Sequence, residues 1–91
     1  MVGTKVSKAA EAESFLAALS PPERKVVDEM VEGWTNAKIA AQLSLSRKTV
    51  ERRVSAVYEK LPPAEGADRR VQVVLFVLQA RTPSVNPPDP A

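Results

Sequence analysis

Cysteine and histidine are both absent from this sequence of 91 residues. Their absence removes disulfide staples, the common zinc sites and every nucleophile and base pairing that relies on a thiol or an imidazole. Enzyme chemistry, a bound metal and a cofactor are therefore not expected. Aromatic residues are scarce too, with Trp34, Tyr58, Phe15 and Phe76 making up the whole set. The core must be assembled mainly from valine, leucine and alanine, and the length suits one small helical domain. No apolar run approaches the roughly 20 residues of a membrane span, and the opening MVGTKVSKAAEAES lacks the apolar stretch of a secretory signal. A soluble cytoplasmic protein without a membrane partner is the expectation.

A net charge of +2 says little, but its distribution says more. Residues 1–34 carry four basic and six acidic side chains, residues 35–60 six and two, and residues 61–91 three of each. The positive excess lies in the middle of the chain. A phosphate-binding patch would give this count, and so would a solvated charged face.

Helix punctuation divides the chain. After Ser7, AAEAESFLAAL contains strong helix formers but few apolar residues beyond Phe15, Leu16 and Leu19, so residues 1–18 are expected to form a partly helical leader that packs weakly. Ser20, Pro21, Pro22 and Glu23 then spell a helix start: a capping serine, proline in the first turn and a capping-box glutamate. Val26, Val27, Met30, Val31 and Trp34 recur at helical spacing, which puts Trp34 in the expected core, and Gly33 can close the helix in a left-handed conformation. Thr35 caps a short helix, Asn36 to Leu43, with Ile39, Ala40 and Leu43 inward.

The break Ser44, Leu45, Ser46 is followed by a helix from Arg47 to about Lys60. Its residues Val50, Val54, Val57 and Leu61 form one stripe, with Lys48, Arg52, Ser55 and Glu59 opposite. Two helices joined by so few residues must cross steeply to bury both apolar faces, and the small Ala40 lets them approach. This is the shape of a helix-turn-helix. Pro62 and Pro63 end the third helix, and Asp68 caps a last one, RRVQVVLFVLQA. Helical projection spreads Val71, Val73, Val74, Leu75, Val77 and Leu78 over roughly 200° of its circumference, leaving Phe76 beside Gln72 and Gln79. One small core does not cover that arc. A second packing partner is expected at Val71, Leu75, Phe76 and Leu78: the same helix of another copy, the leader helix or a different protein. The tail TPSVNPPDPA, residues 82–91, has four prolines in ten residues and is expected to be disordered.

The run LSPPERKVVDEMVEGWTNAKIAAQLSLSRKTVERRVSAVYEKL resembles the DNA-binding domain of LuxR/FixJ-type bacterial transcription regulators. The likeness rests on Leu19 and Glu23, on Gly33, Thr35, Asn36 and Lys38 with Ile39 and Ala40, on Ser46, Thr49 and Val50, and on Lys60 and Leu61. It implies an all-α, four-helix helix-turn-helix domain over residues 19–81 whose third helix enters the major groove and whose fourth pairs two protomers. Three positions depart from the family pattern: Pro22 and Glu51 stand where basic residues are usual, and Arg53 where histidine is. The loop PPAEGAD is also longer than usual.

On this reading Lys48, Glu51, Arg52 and Ser55 face bases. Arg52 leads, because its fork can bond guanine O6 and N7 together, while a carboxylate at Glu51 can accept from cytosine N4 or pair with Arg47 one turn earlier. Phosphates would meet Ser46, Arg47 and Thr49 at the helix N-terminus, Asn36 and Lys38 at the start of the second helix, and Arg53 and Lys60 to the side. The plainer alternative is a solvated face, with simple capping at Ser46. The expected partners are double-stranded DNA, on an inverted repeat with half-sites about 10 base pairs apart, and a second copy of the chain. Two rivals remain: a sigma-factor-like promoter-recognition domain, which requires RNA polymerase, and a protein-interaction module using the apolar last helix. No receiver or ligand domain is expected within these residues.

Overall fold

Four of the helices begin where a side chain satisfies one of the free N–H groups of the first turn. In the computed structural model, which describes residues 8–81, five helices follow one another: α1 (Lys8–Ala17), α2 (Pro21–Val31), α3 (Asn36–Leu43), α4 (Arg47–Glu59) and α5 (Arg69–Arg81). No strand occurs among the described residues. Ser20 and Glu23 form a reciprocal capping box at α2, with the Ser20 N–H donating to Glu23 Oε1 at 2.9 Å and the Glu23 N–H to Ser20 Oγ at 3.3 Å. Thr35 caps α3 by accepting from the Lys38 N–H at 3.2 Å. Ser46 does the same for Thr49 in α4 at 3.0 Å, and Asp68 for Val71 in α5 at 3.1 Å.

The C-termini of α2 and α3 close alike. The Trp34 N–H reaches back to the Glu29 carbonyl and the Gly33 N–H to that of Met30, with Gly33 at φ 92°. After α3 the Leu45 N–H donates to the Ala40 carbonyl at 2.8 Å, and the left-handed residue is Ser44, at φ 57°. That tight reversal lets α4 start three residues later and pack against α3, whose small Ala40 is buried.

The core joins all five helices. Val26, Val27 and Met30 of α2, Ile39 of α3, Val50, Val54 and Val57 of α4, Leu61, and Val73, Phe76 and Val77 of α5 are buried. The all-α class holds, but three details differ from expectation. The leader helix is not weakly packed: Ala12 and Phe15 are buried, and the Phe15 ring meets Phe76 edge to face at 5.5 Å. Its few apolar residues are concentrated on one face, so a short stripe suffices to dock α1 on α5. Phe76 accordingly points into the core with 8% exposure instead of lying opposite it, because Val73, Phe76 and Val77 at i, i+3 and i+4 are the face that α1 and α2 cover. Trp34, expected in the core, is 40% exposed, since the reversal at Gly33 carries it off the α2 stripe. The expected disordered tail and the first seven residues lie outside the described residues.

Candidate nucleic-acid interface

Burial of Val50, Val54 and Val57 decides which side of α4 faces away from the core. Lys48, Glu51, Arg52, Ser55 and Glu59 are all exposed there, as is Arg47 at the first turn. Arg47, Lys48, Glu51 and Arg52 enter no ion pair among the described residues, so the Arg47–Glu51 pair does not form. At about 1.5 Å per residue α4 is about 20 Å long, and its diameter suits a DNA major groove about 12 Å wide. Ser46 Oγ donates to Thr49 Oγ1 at 2.8 Å, so the two hydroxyls sit together beside the helix N-terminus.

The residues expected to flank this face divide into three groups. Asn36 and Lys38 open α3; the Lys38 ammonium lies 5.7 Å from the centre of the Trp34 ring, and Asn36 is half-buried. Arg53 is also half-buried and lines a groove of about 260 Å³ with Pro21, Pro22, Lys25, Leu43 and Leu45, to the side of the outward face. Lys60 already has a partner in the fold, its ammonium lying 2.5 Å from Glu23 Oε1. The carboxylate that completes the α2 capping box thus also ties the end of α4, and the Lys60 hydrogen bond followed by the Ser20 backbone N–H holds its pKa below the ordinary carboxylate value.

Sequence reasoning passed over Arg70. Its guanidinium donates to Asn36 Oδ1 at 3.1 Å and to the Trp34 carbonyl at 2.7 Å, binding α5 to the turn before α3. Its neighbour Arg69 donates to the Tyr58 carbonyl at 2.7 Å in the last turn of α4. No local pattern marks either arginine; only their place just after the capping Asp68 hints that they face the preceding helices. The predicted second partner surface is reduced to Val71 at 52%, Leu75 at 49% and Leu78 at 45% exposure, Phe76 having gone inward.

Residues 17–77 match the model of a family described as bacterial regulatory proteins, luxR family. The chain belongs to the luxR family. Among its relatives, the DNA-binding transcriptional activator DevR/DosR of Mycobacterium tuberculosis is 35% identical over 77 residues, 85% of this chain and 34% of the relative. The response regulator Rre1 of Synechocystis is 38% identical over 60 residues, 66% of this chain and 24% of the relative. The probable transcriptional regulatory protein SgaR of Hyphomicrobium methylovorum is 39% identical over 46 residues, 50% of this chain and 22% of the relative. This luxR-family chain therefore spans about a third or less of each relative's length. No solved structure matches it. The family match runs from the end of α1 through α2, α3, α4 and most of α5, so it includes the whole helix-turn-helix and the outward face of α4.

Proposed function

We propose that this protein binds duplex DNA sequence-specifically and regulates transcription, with the outward face of α4 in the major groove. One observation carries the reading: Lys48 and Arg52 are exposed and without ion-pair partners on a helix whose other face is core. Arg52 and Lys48, with Ser55 and Glu51, contact base edges, and Ser46, Thr49, Arg47, Asn36 and Lys38 contact phosphate. Arg53 contributes a lateral phosphate contact, while Lys60 stays with Glu23. The names of the relatives, a DNA-binding transcriptional activator and a probable transcriptional regulatory protein among them, support the same reading.

Two chains bind an inverted repeat with their α5 helices paired through Val71, Leu75 and Leu78. Selection from a randomised duplex pool at moderate salt tests the whole reading. An inverted repeat with half-sites about 10 base pairs apart is the expected result. Retention of nothing at any salt would discard DNA as the ligand, and an unpaired half-site would discard the dimer. A second reading, protein binding through α5, draws on the exposure of Val71 and Leu75 and gains ground under the first of those failures.

A further inference from the structure

We propose that Arg70 is a positioning residue for DNA binding that acts through Asn36, an inference that rests on the reading above. The two residues are 34 positions apart, and Arg70 Nη1 donates to Asn36 Oδ1 at 3.1 Å. A guanidinium has only donors, so it accepts company only from the carbonyl end of the amide. The NH2 end of Asn36 is thereby turned away from Arg70 as a pair of donors, which is the polarity a phosphate oxygen requires. An untethered asparagine would present either end, and its carbonyl would repel phosphate.

The other arm of the fork holds the turn. Arg70 Nη2 donates to the Trp34 carbonyl at 2.7 Å, while the Trp34 N–H is bonded to the Glu29 carbonyl. The backbone on both sides of Trp34 is thus fixed before the chain enters α3, and the Lys38 ammonium rests over the Trp34 ring at 5.7 Å. Arg70 sets both the direction of the Asn36 amide and the turn from which Asn36 and Lys38 issue. Fixing these groups beforehand lowers the ordering cost of binding. Lysine at position 70 would keep the charge but lose the two-point fork.

The test uses the full chain, a labelled random-sequence duplex and a series of salt concentrations, with thermal melts of every variant. Arg70→Lys and Arg70→Met should each weaken binding about fivefold to tenfold at fixed salt, and Arg70→Met should add less than about twofold to Asn36→Ala. The slope of log affinity against log salt should stay as in the parent, because the lost contact belongs to a neutral amide. An Arg70 that itself gripped phosphate would take about 0.9 from that slope. Asn36→Asp keeps an acceptor for Arg70, and with it the melting temperature, yet should weaken binding more than about tenfold by placing a carboxylate against phosphate. This variant decides the matter if Arg70→Met unfolds. Additive losses for Arg70→Met and Asn36→Ala, a reduced slope, or parental affinity in Asn36→Asp would each overturn the proposal. Parental chain without salt-dependent affinity for any duplex would overturn the DNA reading as well, whereas binding with additive variants would overturn this inference alone.

Discussion

Helices α4 and α5 have the same length, 13 residues, and each buries three side chains at helical spacing, Val50, Val54 and Val57 in one and Val73, Phe76 and Val77 in the other. Their outward faces have opposite chemistry. That of α4 presents Lys48, Glu51, Arg52 and Ser55, while that of α5 presents Val71, Leu75 and Leu78. The inner faces explain why the chain folds; the outer faces are what it offers to a partner. Exposed cations lose little by staying in water and gain by releasing counterions from a polyanion. Exposed leucine and valine gain only when another apolar surface covers them, at about 25 cal/mol per Å².

Truncating one side chain on each side of α5 should give the largest contrast. Phe76→Ala should cost about 3–5 kcal/mol in urea denaturation, because it empties the contact with Phe15. Leu75→Ala, one residue away, should cost about 0.5 kcal/mol in dilute chain. Equal losses would mean that both sides of α5 are buried within one folded chain. On α4 the expected loss lies in binding. Arg52→Ala should weaken specific DNA by about 1–3 kcal/mol and relax one base position without altering the melting temperature. Lys38→Ala should weaken all sequences alike and lower the salt slope by about 0.9. If both variants lose the same on selected and random duplexes, the division between base and phosphate contacts fails.

A smaller effect locates the end of the charged face. The Glu23 carboxylate is favoured by the fold, so its contribution to stability is complete above the unfolded carboxylate value and disappears as pH falls through its lowered folded value. Glu23→Gln should therefore be less stable than the parent by about 1 kcal/mol at neutral pH and indistinguishable from it in acid. A gap that ignores pH would mean the ion pair with Lys60 contributes nothing. The smallest effect concerns the turn that orients α4. Ser44→Gly should raise stability by about 0.5–1 kcal/mol, since glycine adopts the left-handed conformation without the side-chain penalty. Destabilisation would show that the serine hydroxyl holds the turn.

Much of this architecture is legible locally. The caps at Ser20, Thr35, Ser46 and Asp68 and the reversal at Gly33 depend on neighbours within five residues, and all are found where the residue types predict. The buried stripe of α4 is equally plain, because a single period accounts for it. Phe76 and the packing of α1 were not legible: an apolar arc too wide for one neighbour leaves open which part is covered until the position of α1 is known. Trp34 belongs to the apolar period of α2, but the reversal before it breaks the period. The ties from Lys60 to Glu23 and from Arg70 to Asn36 span 37 and 34 positions. No spacing rule reaches that far, so the candidate site was legible in its outward residues and hidden in the ones that hold them.

The exposed indole at position 34 also makes the protein its own optical probe. Trp34 is the single tryptophan of the chain, so all of its indole emission arises from the turn that Arg70 fastens and Lys38 covers. Because the ring is already partly in water, unfolding should change its colour only modestly, whereas a ligand that displaces the lysine or covers the ring should change its brightness. Unlabelled protein would then register occupancy of the α3 approach separately from occupancy of α4, and the time course of docking would be visible from one ring.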